Sequence, residues 1–198
     1  MAAIGITGGI ATGKTVFARQ LVDELPGATM FNADVAAREL TDRDPEVQLL
    51  IGQVFGPAIY SAPGHLNRAL LRTIVFADPE KKLALEQILH PRIRRQWALE
   101  AESRRDSTDL FFADIPLLYE TGGETLCDRV IVVACTPRLQ RERLMTRASL
   151  NADAAEEMIS AQMPLNEKIA RADHVVWNDG PLMVLADQAR LLAGMLRQ

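Results

Sequence analysis

From Gly8 to Thr15 the chain reads Gly-Gly-Ile-Ala-Thr-Gly-Lys-Thr, a match to the pattern G-x-x-x-x-G-K-[ST]. Glycines at these positions let the backbone curl until successive N–H groups face inward, toward phosphate oxygens. A helix starting directly afterwards adds the positive end of its dipole. The motif therefore requires a strand in front of it and a helix behind it. Both are legible here: an apolar run covers 3–7, and in the segment 14–25 Phe17, Leu21 and Leu25 recur four apart. In that setting Lys14 is placed to reach the β- and γ-phosphates of a nucleotide, and the Thr15 hydroxyl to ligate Mg²⁺. The expected ATP contacts of the loop are Gly9, Ile10, Ala11, Thr12, Gly13, Lys14, Thr15 and Val16.

Short apolar runs alternate with longer stretches of helical period, the pattern of an α/β chain. Strands are expected at 3–7, 29–33, 110–113, 129–134 and 174–177. They suit a five-stranded parallel sheet flanked by helices on both faces. About 75 residues separate the second strand from the third, too many for a simple crossover. That interval is helical in period and is punctuated by Asp44-Pro45, Pro63-Gly64, Asp78-Pro79 and His90-Pro91, with His90 expected at a helix start. A second helical excursion covers 137–171, with Asn151 as the N-cap of its second helix. A last helix is expected over 181–196, led by a proline and carrying Leu182, Leu185, Leu192 and Leu196.

Composition narrows the function classes. With 26 acidic and 22 basic residues the net charge is −4, which argues against a dedicated nucleic-acid binder. No apolar run is long enough for a membrane span, and the N-terminus lacks the basic and apolar regions of a secretory signal. Cys127 and Cys135 have no metal-ligand spacing and read as reduced thiols, so the expected compartment is the cytoplasm.

The second strand ends in Phe31-Asn32-Ala33-Asp34. Open parallel sheets bind ligands at the carboxyl ends of their strands. A carboxylate there orients an attacking hydroxyl and accepts its proton. From position alone, an N-cap for the next helix explains Asp34 equally well. Arg38 follows one turn later and, with Arg68, is suited to bind acceptor phosphates, because guanidinium groups pair bidentately with such oxyanions. Arg143 and Arg147 are four apart and share one helix face, from which they can close over ATP phosphates. Arg141 falls on another face and reads as solvated, as does the basic stretch Arg92, Arg94, Arg95, Arg104 and Arg105. Asp114 ends the run Leu110-Phe111-Phe112-Ala113, where P-loop proteins often keep a Mg²⁺-directed carboxylate.

Taken in order, these motifs resemble the dephospho-coenzyme A kinase family over almost the whole chain. The opening GITGGIATGKT is similar to that family's phosphate loop, and Asn32-Ala33-Asp34 with Ala37-Arg38 to its Asp-Ala-Asp element. Gly64-His65-Leu66-Asn67-Arg68, Val75-Phe76 and His90-Pro91 resemble its acceptor region. Asp114-Ile115-Pro116-Leu117-Leu118-Tyr119-Glu120, Gln140 with Arg143 and Arg147, Gln162-Met163-Pro164 with Lys168, and Asn178-Asp179-Gly180 follow as in the family. Asn32 departs from it, standing where the first aspartate is usual; an amide hydrogen-bonds but accepts no proton as a base. Met158 departs too, replacing a basic or polar residue.

The resemblance implies a P-loop kinase fold with a core of about 1–34, 106–137 and 170–198, a helical acceptor-binding insertion over about 35–105 and a lid over about 138–169. It implies transfer of a phosphoryl group from ATP, with Mg²⁺, to the ribose 3′-hydroxyl of dephospho-coenzyme A. Asp34, Lys14 and Arg143 are the implied catalytic residues. Arg143, Arg147 and Asn178 join the loop at ATP, while Asp34, Arg38, Arg68, His90, Leu117 and Glu120 take the acceptor. The expected partners are these two small molecules, with the chain acting as a monomer or weak homo-oligomer. A GTPase switch is disfavoured because neither D-x-x-G nor N-K-x-D occurs. A mechanical ATPase would share only the loop and the strand ending at Asp114.

Overall fold

The computed structural model describes residues 3–62, 64–104, 107–148 and 150–197. Its chain divides into two compact units, one of Met1–Phe31 with Glu100–Gln198, the other of Asn32–Leu99.

The first unit is built on a sheet of order β2-β3-β1-β4-β5. Its strands are β1 (Ala3–Gly8), β2 (Thr29–Asn32), β3 (Phe111–Asp114), β4 (Arg129–Ala134) and β5 (His174–Trp177). β1 lies between β3 and β4 and pairs with each in parallel, Ile6 standing opposite Asp114 on one side and Ile131 on the other. Every residue of β1 and β3 is buried, which explains why these strands read as unbroken apolar runs rather than alternating ones. On one face α1 (Lys14–Asp23) and α9 (Leu182–Leu196) cover the sheet, and Phe17, Leu21 and Leu25 pack with Ile4, Ile6, Ile131, Leu185 and Leu192. Pro181 caps α9 rather than entering it, and Leu182 is 61% exposed, so it takes no part in that core. The excursion after β4 folds as α6 (Pro137–Ala148), α7 (Ala152–Ser160) and α8 (Leu165–Ala170). Asn151 caps α7 by accepting from the Ala154 amide.

The second unit is helical: α2 (Ala33–Arg43), α3 (Pro45–Phe55), α4 (Arg68–Ala77) and most of α5 (Pro79–Ser103). Its core gathers Leu40, Val47, Ile51, Ile59, Leu71 and Ile88. Strand β2 stops one residue short of the sequence expectation. Asn32 caps α2, its side chain accepting from the Val35 amide, and this draws Ala33 into the helix. His90 is likewise not at a helix start. α5 continues through Pro91 for 25 residues in all. An internal proline costs an isolated helix about 3 kcal/mol. Here Ile88, Leu85, Leu89 and Ile93 pack on both sides of it, and the Arg92 guanidinium donates to the Ile88 carbonyl at 3.0 Å. Arg92 also pairs with Glu46 at 2.8 Å, and Arg104 with Glu100 at 3.1 Å, so these members of the basic stretch are engaged rather than merely solvated; Arg105 lies outside the described residues.

Asp44 links two helices of this unit, closing α2 and capping α3 through Oδ1, which accepts from the Glu46 and Val47 amides. Replacing Asp44 with Ala is expected to cost about 1 kcal/mol in urea unfolding, and Asp44→Asn to retain most of it. Equal loss in both variants would show that charge, and not capping, is what matters there.

Candidate active site

The phosphate loop folds into neither helix nor strand, so its amides are not spent on a ladder; of them, Ile10 N–H is taken by Gln162 and Thr12 N–H by the Gly9 carbonyl. Gly13 stands at φ 90° and Ala11 at φ 61°. A left-handed alanine costs roughly 1–2 kcal/mol, so the surroundings must hold the loop in shape. Inside it, Thr12 is fully buried and its hydroxyl donates to the Gly9 carbonyl at 2.9 Å. Just past β5, the Asn178 amide donates to the Thr12 carbonyl at 2.8 Å and occupies the space a Cβ on Gly13 would need. Asp179 accepts from the Thr136 amide at 2.7 Å, tethering the same turn to the entry of α6. Asn178, expected at ATP, thus supports the loop through its amide nitrogen. Lys14 opens α1 and is paired with Asp114 in a buried ion pair. Asp114 is 1% exposed, and its engagement with Lys14 is a link that the sequence reading did not contain.

Arg143 and Arg147 of α6 meet the loop. A cavity of about 550 Å³ is lined by Ala11 and Gly13 together with Leu139, Arg143, Thr146 and Arg147. That volume lies within the usual range for small-molecule sites. Nη1 of Arg143 is buried without a hydrogen-bond partner among the described residues. Arg143 also lies near enough to Cys135 to draw its pKa down, against the stronger upward push of burial. The Cys127 thiol is pushed up to about 12 by burial, with Asp128 and Glu124 adding to the effect. Both sulfurs are therefore protonated near neutrality and poorly suited to nucleophilic chemistry. Arg141 is held by Glu156, which accepts from its Nε and Nη2 at 3.1 and 3.0 Å, rather than being simply solvated.

Lys168 was legible only as part of a motif, and the structure makes it a central contact. It is 0% exposed, with Nζ 2.8 Å from Glu120 Oε1, 3.0 Å from the Pro116 carbonyl and 3.4 Å from the Gly8 carbonyl. Burial lowers its pKa while Glu120 opposes the shift. Glu120, expected at the acceptor, is thereby engaged inside the first unit, where it also accepts from the Met163 amide at 3.0 Å. A buried lysine has no periodicity, and only its partners reveal its role. Leu117, its neighbour in the same expected set, is half-buried and its carbonyl accepts from Thr121.

The remaining residues expected at the acceptor lie in the second unit. Asp34 is in the first turn of α2, exposed, and the cap position belongs to Asn32 instead. Arg38 is exposed one turn further on. Arg68, at the start of α4, donates from Nη2 to Asp42 at 2.7 Å and to Thr41 at 3.2 Å, which places it beside the same stripe of α2. Asp34, Arg38 and Arg68 are thus arrayed along one helix. His90 is half-buried within α5.

A family model described as dephospho-CoA kinase matches residues 2–183. A dephospho-CoA kinase of Bacillus cereus is 40% identical over 190 residues, covering 96% of this chain and 94% of the relative. Among solved structures, a dephospho-CoA kinase from Campylobacter jejuni superposes with a TM-score of 0.74 at 26% identity, covering 98% of this chain and 96% of that one. A shikimate kinase from Acinetobacter baumannii, at 13% identity and a TM-score of 0.53 over 99% and 90% of the two chains, shares the fold alone.

Lys168 is the buried member of its ion pair and Glu120 reaches solvent, so the costly change is the one that leaves the ammonium without its carboxylate. Glu120→Gln is therefore expected to destabilise the protein by about 3 kcal/mol in denaturant unfolding, with Lys168→Met/Glu120→Gln recovering part of the loss. A double variant no more stable than the single one would show that the two carbonyl contacts, rather than Glu120, fix Lys168.

Proposed function

The chain belongs to the dephospho-CoA kinase family, and we propose that it transfers the γ-phosphoryl group of ATP to the ribose 3′-hydroxyl of dephospho-coenzyme A, releasing ADP and coenzyme A. The observation that supports this reading is the cavity in which Ala11 and Gly13 of the phosphate loop face Arg143 and Arg147, with Glu142 beside them. Main-chain amides of the loop and the N-terminus of α1 bind the phosphates, and Lys14 turns from Asp114 to their oxygens. Arg143, with an unpartnered buried Nη1, and Arg147 stabilise the charge that spreads over the transferred group. The acceptor oxygen attacks phosphorus, the bond to ADP breaks, and the hydroxyl proton passes to the Asp34 carboxylate. Arg38 and Arg68 pair with the acceptor's phosphates.

The donor set fits Mg²⁺. Among the described residues no group of three or more His, Cys, Asp or Glu side chains is arranged to hold an ion alone. Mg²⁺ is held in such enzymes mainly by substrate phosphates and water, with one or two protein oxygens, here the Thr15 hydroxyl. When bound, it neutralises phosphate charge. Among the described residues no helix is long and apolar enough to cross a membrane, and both cysteines are free thiols; a cytoplasmic site of action accords with both.

Positioning and electrostatics should supply most of the rate enhancement, with proton transfer worth about 10²–10⁴-fold. Asp34→Ala is accordingly expected to lower kcat by at least about 100-fold while ATP affinity stays within roughly threefold. Lys14→Ala should damage both. The decisive assay follows ADP release from Mg-ATP with dephospho-coenzyme A, with nucleoside monophosphates and with no acceptor. Release that depends on dephospho-coenzyme A is expected, and equal release without acceptor would refute the assignment.

A further inference from the structure

The front of the phosphate loop is fastened from outside. Gln140, in α6, donates Nε2 to the Ile10 carbonyl at 2.9 Å. Gln162, between α7 and α8, accepts the Ile10 N–H on Oε1 at 2.8 Å. Two successive peptide planes are thereby fixed by two side chains more than a hundred residues away in sequence. The packing leaves no slack: a Cβ on Gly9 would lie 2.6 Å from Gln140 Nε2. Gln140 is 4% exposed and shares a stripe of α6 with Arg143 and Arg147, so one helix face both grips the loop and lines the cavity above it.

We infer that Gln140 and Gln162 are positioning residues that set the shape of the phosphate loop before nucleotide arrives. The inference rests on the reading of Gly8 to Thr15 as the ATP phosphate site. The two amides act with opposite polarity. An N–H needs an acceptor and a carbonyl needs a donor, so Gln162 serves through its oxygen and Gln140 through its nitrogen. With the Ile10 N–H directed at Gln162, the phosphates are left to the later amides of the loop. Holding these planes in place removes an ordering cost from ATP binding and fixes where the γ-phosphate sits, and small misplacements there lower the rate steeply.

Polarity also supplies the test. Glutamate in place of Gln162 keeps an acceptor for Ile10, whereas glutamate in place of Gln140 sets a carboxylate against a carbonyl. The primary readout is hydrogen exchange of the Ile10 amide, followed by NMR on nucleotide-free protein. Gln162→Ala is expected to speed that exchange roughly tenfold and to weaken ATP binding by a similar factor, with the melting temperature little changed. Gln162→Glu should restore slow exchange, while Gln140→Glu should exchange faster than Gln140→Ala. A pure effect of added charge would move both glutamates in the same direction relative to their alanines, and that outcome would overturn the inference. So would an Ile10 amide equally protected in wild type and Gln162→Ala. Should an alanine variant fail to fold, the two glutamates are compared directly with wild type, and the same opposite ordering decides. Because exchange is read without nucleotide, a protein that binds no ATP would sink the kinase reading separately, leaving this result to stand or fall alone.

Discussion

A loop that must offer its main-chain N–H groups to an anion cannot commit them to helix or sheet, and this constraint organises the first unit. Regular structure holds itself together by the hydrogen bonds such a loop must forgo. The stretch from Gly8 to Gly13 is therefore held by neighbours: Asn178 on Thr12, Gln140 and Gln162 on Ile10, and Lys168 on Gly8. Most of these props come from the segment after β4, the same segment that carries Arg143 and Arg147. A helical excursion that looks like an appendage in the sequence is joined to the loop at its base.

The strands and the loop were legible in the sequence because each has a local signature. Fully buried parallel strands read as apolar runs, and the loop has a fixed spacing of glycines, lysine and threonine. The capping role of Asn32 was not legible, because an amide that departs from a family's aspartate looks like a loss of chemistry rather than a gain of helix start. Pro91 was misleading for the opposite reason: a strong local breaker is overruled by apolar packing on both sides of it. Leu182 fits the helical period yet is exposed, since the period alone does not say where a helix's buried stripe begins. Burial of Lys168 and its pairing with Glu120 depend on contacts across 48 residues of sequence, which no pattern within either segment reports.

The candidate site shows the same division. Residues with a fixed motif spacing were singled out from sequence as candidates, as Lys14 and Arg143 illustrate. Their partners were not. Asp114 beside Lys14 and Cys135 beside Arg143 are tertiary facts. Asp34, Arg38 and Arg68, the residues proposed for the acceptor, are ordered along α2 by helical spacing and by the Asp42 and Thr41 contacts of Arg68, a helix-scale arrangement rather than a sheet-scale one.

The pairing of Lys14 with Asp114 has a consequence for what the empty enzyme attracts. A naked ammonium at the mouth of a helix would draw free phosphate, sulfate and any passing carboxylate. With a resident carboxylate beside it, the position is close to electrically balanced until a guest arrives. A small anion touching only the lysine must displace that carboxylate and gains little in exchange. On the proposed reading, a polyphosphate chain that also engaged the loop amides would gain more from the swap. The ion pair would then act as a threshold, sorting ligands by how many contacts they make at once rather than by charge alone.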